Sequence, residues 1–196
     1  MKIGVLALQG GFAEHIATLD RLGIENFEIR KKTDLNCCPD GLILPGGEST
    51  VMGRLLHETD LFEPLKERID GGIPVFGTCA GMILLAHQIE NEPSVYFSRI
   101  GIKVKRNAFG RQLGSFTTTG SFKGIGEIPM TFIRAPYIET ADQNVNILAS
   151  VNGTSVAAEY ENVLVTAFHP ELTDDLRVLE YFIKKVKSNN DAHLSQ

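Results

Sequence analysis

Three times within the first eighty residues a short apolar run stops at a glycine-bearing turn and a helical pattern takes over. Lys2 to Leu8 closes on Gln9-Gly10-Gly11, Leu42-Ile43-Leu44 on Pro45-Gly46-Gly47-Glu48, and Ile73-Pro74-Val75-Phe76 on Gly77-Thr78-Cys79-Ala80-Gly81. Runs this short and this apolar read as strands buried on both faces. After the first of them Phe12, Ile16, Leu19 and Leu22 recur at helical spacing, and Gly23 ends the pattern. Phe27 to Arg30 reads as another short strand, and helices are expected over 49–57 and 62–70. Strands separated by helices imply a mainly parallel sheet covered on both faces, with ligands bound beyond the C-terminal ends of its strands. All three glycine turns lie at such ends and are expected to converge on one crevice.

The second half changes character. From Ile100 to Tyr160 the segments are short, with glycine, asparagine and proline between β-branched and aromatic residues. Asn152-Gly153 is a strong hairpin signal between two such segments. Val163 to Phe168 reads as one more buried strand, ending at His169-Pro170-Glu171. Asp174 and Asp175 then open a closing helix whose inward face is Leu176, Leu179, Phe182, Ile183 and Val186. One domain is expected over residues 1–188, with a frayed, solvated tail over 189–196.

Composition narrows the class of partner. With 196 residues and a net charge of −5, the chain is a poor match for nucleic acid or an anionic membrane surface. No apolar run approaches the length of a membrane span. Met1-Lys2-Ile3-Gly4-Val5 enters a strand directly, so no leader is expected. The three cysteines, Cys37, Cys38 and Cys79, have neither disulfide nor zinc spacing. A reducing cytoplasm is the expected compartment, with no metal and no cofactor.

The third turn carries the chemistry. A cysteine between small residues, where a strand turns sharply into a helix, matches the G-x-nucleophile-x-G elbow with sulfur in place of oxygen. Unpaired N–H groups at the helix start favour a thiolate there. Such a nucleophile needs a base, and the base needs an orienting group. Of five histidines, His15, His57 and His87 fall within helical stretches and His193 in the tail, where surface or packing roles are the default. His169 alone follows a buried strand. Glu171, two residues on, points the same way if the segment stays extended. The expected order is therefore Cys79, His169, Glu171. An oxyanion formed at the sulfur could be met by the Ala80 N–H and by the side-chain-free Gly46-Gly47 turn.

Pro45-Gly46-Gly47-Glu48-Ser49-Thr50, Gly77-Thr78-Cys79-Ala80-Gly81 and Phe168-His169-Pro170-Glu171 together resemble the class I, triad-type glutamine amidotransferases. The likeness narrows to the glutaminases of pyridoxal 5′-phosphate synthesis. It does so through Gly4 to Gln9-Gly10 with Glu14-His15, through Arg106 to Gln112, and through Phe132-Ile133-Arg134-Ala135-Pro136. It spans almost the whole chain. The resemblance implies a flavodoxin-like α/β fold: a three-layer sandwich whose central sheet is mainly parallel.

The implied activity is hydrolysis of L-glutamine to glutamate and ammonia by Cys79, His169 and Glu171. Gly46, Gly47 and Glu48, with Arg106, Ile133 and Arg134, are implied to bind glutamine. Gly47 and Ala80 are implied to form the oxyanion hole, with Gln9 near that turn and the partner contact. The implied partner is a (β/α)8-barrel synthase subunit, in an assembly of twelve copies of each. The polar helix bearing Glu14 and His15 is compatible with such docking. Two other readings share some of the features: a glutaminase serving imidazole glycerol phosphate synthesis, and a non-enzymatic flavodoxin-like module in which Cys79 senses oxidation. A sensor has no need of a base paired with an acid.

Overall fold

The computed structural model describes residues 1–106 and 114–194. The first half alternates as the apolar runs require: β1 (Lys2–Leu6), α1 (Phe12–Arg21), β2 (Glu25–Ile29), β3 (Gly41–Leu44), α2 (Ser49–Glu58), α3 (Phe62–Asp70), β4 (Val75–Thr78) and α4 (Ala80–Leu85). Then come β5 (Ala86–Ile89), β6 (Ile100–Lys105), β7 (Ser115–Phe122), β8 (Gly126–Ile133), β9 (Tyr137–Ala141), β10 (Asn146–Val151), β11 (Thr154–Tyr160) and β12 (Val163–Thr166), and α5 (Arg177–Leu194) closes the described chain.

Strands β2, β1, β3, β4 and β12 lie side by side in that order and all run parallel. This is the flavodoxin-like order, with β12 in the fifth place. β3, β4 and β12 are buried throughout, as strands covered on both faces must be. Phe76 of β4 points to one face, where it meets His15 of α1 and Phe182 of α5. Gly77, its neighbour, points to the other, against Gly81 and Leu85 of α4.

Beyond β12 the sheet turns antiparallel through β11, β10, β7 and β8, while β9 joins β11 to β6 and β5. Asn152 and Gly153, both at positive φ (50° and 77°), make the tight turn between β10 and β11 that their dipeptide announced. β7 and β8 form a long hairpin. Phe132 of β8 stacks on Phe116 at 4.7 Å and meets Phe168 edge-on at 5.8 Å.

Four local expectations need revision, the first being His87, which falls in β5 rather than in a helical stretch. α5 begins at Arg177 rather than at the aspartates, because the Asp175 carboxylate accepts the Arg177 N–H ahead of the first turn. Leu176 is consequently outside the helix and only half-buried. At the other end α5 continues past Ser188 to Leu194 instead of fraying. No glycine or proline interrupts it, and two of its asparagines are tied down, Asn189 to Asn162 and Asn190 to Asp40. Finally, Pro170–Leu172 is a 3-10 turn and not an extended segment, so Glu171 does not reach His169 by strand alternation.

Candidate active site

Four adjacent parallel strands deliver their following turns to one sheet edge. β1 leads to Gln9, β3 to Gly46, β4 to Cys79 and β12 to His169. A cavity of about 370 Å³ opens there, and Gln9, Gly46, Gly47, Glu48, Cys79, Arg106, Ile133, Arg134, His169 and Glu171 all line it. Every substrate-facing side chain expected from the sequence is therefore at this one mouth. Ala80, the expected second oxyanion donor, is the first residue of α4 beside it. The remainder of the Arg106 motif, Asn107 to Gln112, lies outside the described residues.

Cys79 sits at the corner with φ 50° and ψ −100°, a conformation non-glycine residues seldom adopt. The flanking glycines make that corner possible. A Cβ on Gly81 would lie 2.0 Å from the Leu44 carbonyl oxygen, and one on Gly77 would lie 2.6 Å from the Gly81 backbone. The Cys79 N–H donates to the Thr166 carbonyl of β12 at 2.7 Å, which pins the elbow to the neighbouring strand. The cysteine is 7% exposed, open only toward the cavity it lines.

His169 is held from two sides. Its N–H donates to the Thr131 carbonyl of β8 at 2.8 Å, and its Nδ1 lies 2.8 Å from Glu171 Oε1. With Nδ1 so engaged, Nε2 is the nitrogen left for sulfur. Gly46 is glycine for a steric reason, since a Cβ there would come within 2.3 Å of the imidazole Cε1. Burial lowers the basicity of His169, but its interactions with Cys79 and Glu171 outweigh it and raise its pKa to about 10. Burial likewise opposes ionisation of Glu171, but His15 and His169 overcome it and bring the carboxyl down to about 2. The two shifts describe a cationic ring clamped on an ionised acid.

The glycine turns interlock. The Gln9 side-chain oxygen accepts the Glu48 N–H at 2.7 Å, and the Gly11 N–H donates to the Gly46 carbonyl at 2.9 Å. Gln9 thus caps the start of α2 and fixes the Gly46-Gly47 turn from below. Arg134, at φ 42°, is largely exposed and lies 3.5 Å from the Glu48 carboxylate. Arg106 is half-buried, not a fully solvated member of a basic run. Its Nε is 2.7 Å from Glu92 Oε1, off-line for a hydrogen bond, and a terminal nitrogen donates to Oε2 at 3.0 Å. Both guanidinium groups are thus placed by a carboxylate at the cavity rim.

His15 departs from its expected surface or packing role. Its side chain is 1% exposed and faces Glu171. The signal was present, because His15, Thr18 and Leu19 share the buried stripe of α1. A histidine there has polar nitrogens to satisfy, and apolar spacing alone does not reveal with what. Among the described residues no group of histidine, cysteine, aspartate and glutamate could hold a metal ion, and no helix is long and apolar enough to cross a membrane.

An elbow cysteine and a buried His–Glu pair thus line one cavity at the edge of a flavodoxin-like α/β sheet. The chain belongs to the SNO glutamine amidotransferase family, whose model matches residues 5–188. It is similar to the pyridoxal 5′-phosphate synthase subunit PdxT of Desulfitobacterium hafniense, at 50% identity over 196 residues, covering 100% of this chain and 98% of the relative. PdxT of Streptococcus pneumoniae is 52% identical over 193 residues, covering 97% of this chain and all of the relative. Among solved structures, a glutamine amidotransferase crystal structure matches with a TM-score of 0.90 at 42% identity, covering 94% of this chain and 98% of that one. A putative GMP synthase protein from Thermoplasma acidophilum shares the fold with a TM-score of 0.71 at 20% identity, covering 98% of this chain and 97% of that one.

Proposed function

We propose that the chain, acting as one glutamine amidotransferase domain, is the glutaminase subunit of a cytoplasmic pyridoxal 5′-phosphate synthase. The observation that carries this is the convergence of Cys79, His169 and Glu171 on one cavity in a chain of this family. The named relatives supply the particular synthase.

In this reading the Cys79 sulfur, its proton passed to His169 Nε2, attacks the side-chain carbonyl carbon of glutamine. The C–S bond forms as the carbonyl electrons move to oxygen, and Gly47 and Ala80 N–H groups receive that oxyanion. His169 returns the proton to the amide nitrogen, the C–N bond breaks and ammonia leaves. Water, giving a proton to the same histidine, then releases glutamate from the thioester. Glu171 holds the ring in the tautomer this exchange needs. Arg106 and Arg134, with Ile133 and Glu48, hold the amino-acid end of glutamine, a planar guanidinium being suited to a carboxylate. Gln9 keeps the oxyanion turn in place.

Ammonia released into water is protonated and ceases to be a nucleophile, so the product must pass to a partner without solvent exposure. The partner is the (β/α)8-barrel synthase subunit, twelve copies of which carry twelve of this chain. The test combines both proteins and measures ammonia release from glutamine and glutamine-dependent cofactor formation, for the parent and for His169→Asn. The parent is expected to do both and the variant neither, by a factor of at least ~10³. Equal release by the two proteins would overturn the reading.

A further inference from the structure

The reaction as derived leaves one buried titratable group unused. His15 Nε2 lies 3.4 Å from Glu171 Oε1 and 3.1 Å from the hydroxyl of Thr78, the residue before the nucleophile. Glu171 Oε1 therefore faces two imidazoles, His169 Nδ1 at 2.8 Å and His15 Nε2 at 3.4 Å. The other carboxylate oxygen, Oε2, is buried with no hydrogen-bond partner among the described residues. Nothing on the Oε2 side fixes the rotation of the carboxylate. Its orientation rests on the oxygen that the two histidines share.

We propose that His15 is a positioning residue, its Nε2–H bonded to the Thr78 hydroxyl and facing Glu171 Oε1 at 3.4 Å, so that its polar edge holds that carboxylate in the rotamer that engages His169. The tautomer follows from charge. An unprotonated Nε2 would set its lone pair against a carboxylate oxygen, so this nitrogen carries the hydrogen. The same imidazole touches Thr78, which ties the orienting acid to the strand that bears the nucleophile. A purely space-filling role would account for the edge-on contact with Phe76 at 6.2 Å but not for a polar nitrogen aimed at a buried acid. His15 is also the leading influence that keeps Glu171 ionised against its burial.

His15 does not line the glutamine cavity. It lines a separate small one with Thr18, Phe76, Pro170, Asp175 and Leu179, on the far side of Glu171. Loss of the imidazole should therefore slow chemistry and leave substrate binding alone. The charged or titratable groups around it are Glu171 and His169 from the 3-10 turn and its approach, Asp175 across the small cavity, and Glu14 on its own helix. Asp175 is engaged by Arg177 at 2.6 Å.

The inference rests on the glutaminase reading, and its test separates the two. His15→Met and His15→Gln match in length and differ in their power to donate. With the synthase partner present, His15→Met should lower kcat roughly tenfold or more with KM within about twofold, and His15→Gln should recover most of the loss. On the isolated chain, iodoacetamide labelling of Cys79, resolved by peptide mass spectrometry from the exposed Cys37 and Cys38, should slow near neutral pH in His15→Met and recover in His15→Gln. A folded His15→Met with parental kcat and labelling would overturn the proposal, as would equal impairment of both variants. If His15→Met does not fold, His15→Asn, polar but too short to reach the carboxylate, takes its place with the same readings. A parent that released no ammonia would count against the glutaminase reading itself, and the labelling arm would still decide the role of His15.

Discussion

The parallel and antiparallel parts of the sheet serve the same cavity by different means. β3, β4 and β12 are buried along their whole length, so their side chains are committed to packing. Polar chemistry from that region can emerge only where a strand ends, at Gln9, Gly46, Cys79 and His169. In β8, by contrast, buried and accessible residues alternate. One short stretch there does three things: Phe132 packs, the Thr131 carbonyl holds the His169 backbone, and Ile133 and Arg134 face the cavity. The parallel part supplies the proposed reacting groups at fixed strand ends. The antiparallel part supplies a brace and, in the proposed reading, the arms that hold glutamine.

That contrast can be broken by mutation. The largest effect is expected from Cys79→Ala, which should reduce ammonia release by at least ~10³-fold while leaving the circular dichroism spectrum unchanged; surviving activity would remove the elbow from the chemistry. Next comes Phe132→Ala, which empties the brace. It should lower the urea unfolding free energy by about 3–5 kcal/mol and reduce kcat through the backbone of His169; a cost under about 1 kcal/mol would mean that β8 supports nothing.

Glu171→Gln should cost about 3 kcal/mol near neutral pH, because it leaves the His169 cation without its buried partner. The sign of its pH dependence follows from the carboxyl pKa, ordinarily 4.5 and about 2 in the fold. A depressed pKa stabilises the fold fully above the ordinary value and loses that contribution as pH falls toward the lower one. The gap between parent and variant should therefore narrow from pH 4.5 downward, and a gap of constant size between pH 6 and pH 3 would contradict the ion pair. His169 acts in the opposite sense, with its contribution intact below 6.5 and lost as pH rises toward about 10.

Arg106→Ala tests the arms. It should weaken glutamine binding by about 1.5–3 kcal/mol, read as a rise in KM, with stability little changed; an unaltered KM would return Arg106 to a structural partnership with Glu92. The smallest effect belongs to Thr117→Ala on the exposed side of the hairpin, where the hydroxyl meets that of Thr131 at 3.2 Å. Its cost should stay within about 0.5 kcal/mol in the same urea titration, and a larger loss would show that the outer face of β7 is not idle.

Much of the cavity could be read from residue order because its parts are local. A strand that is apolar throughout must be covered on both faces, and a glycine turn after it must lie at a sheet edge. Cys79 between glycines and His169 after a buried run are signals of that kind. The motif likeness added Arg134 and also Arg106, which without it reads as a solvated member of a basic stretch. Glu171 lies beside His169 through a 3-10 turn and not through the extended segment that its spacing suggests.

What residue order could not decide is who stands beside whom across the fold. His15 and Glu171 are 156 positions apart, as their numbers show, and only the docking of α1 against the end of β12 brings imidazole to carboxylate. The pairing of Thr131 with His169 likewise depends on how the antiparallel strands return to the sheet, and that of Arg106 with Glu92 on β5 and β6 lying parallel side by side. Backbone preference and apolar spacing act over a few residues and are written along the chain. Which buried polar atoms meet is set by the packing of distant elements, and is written only in three dimensions.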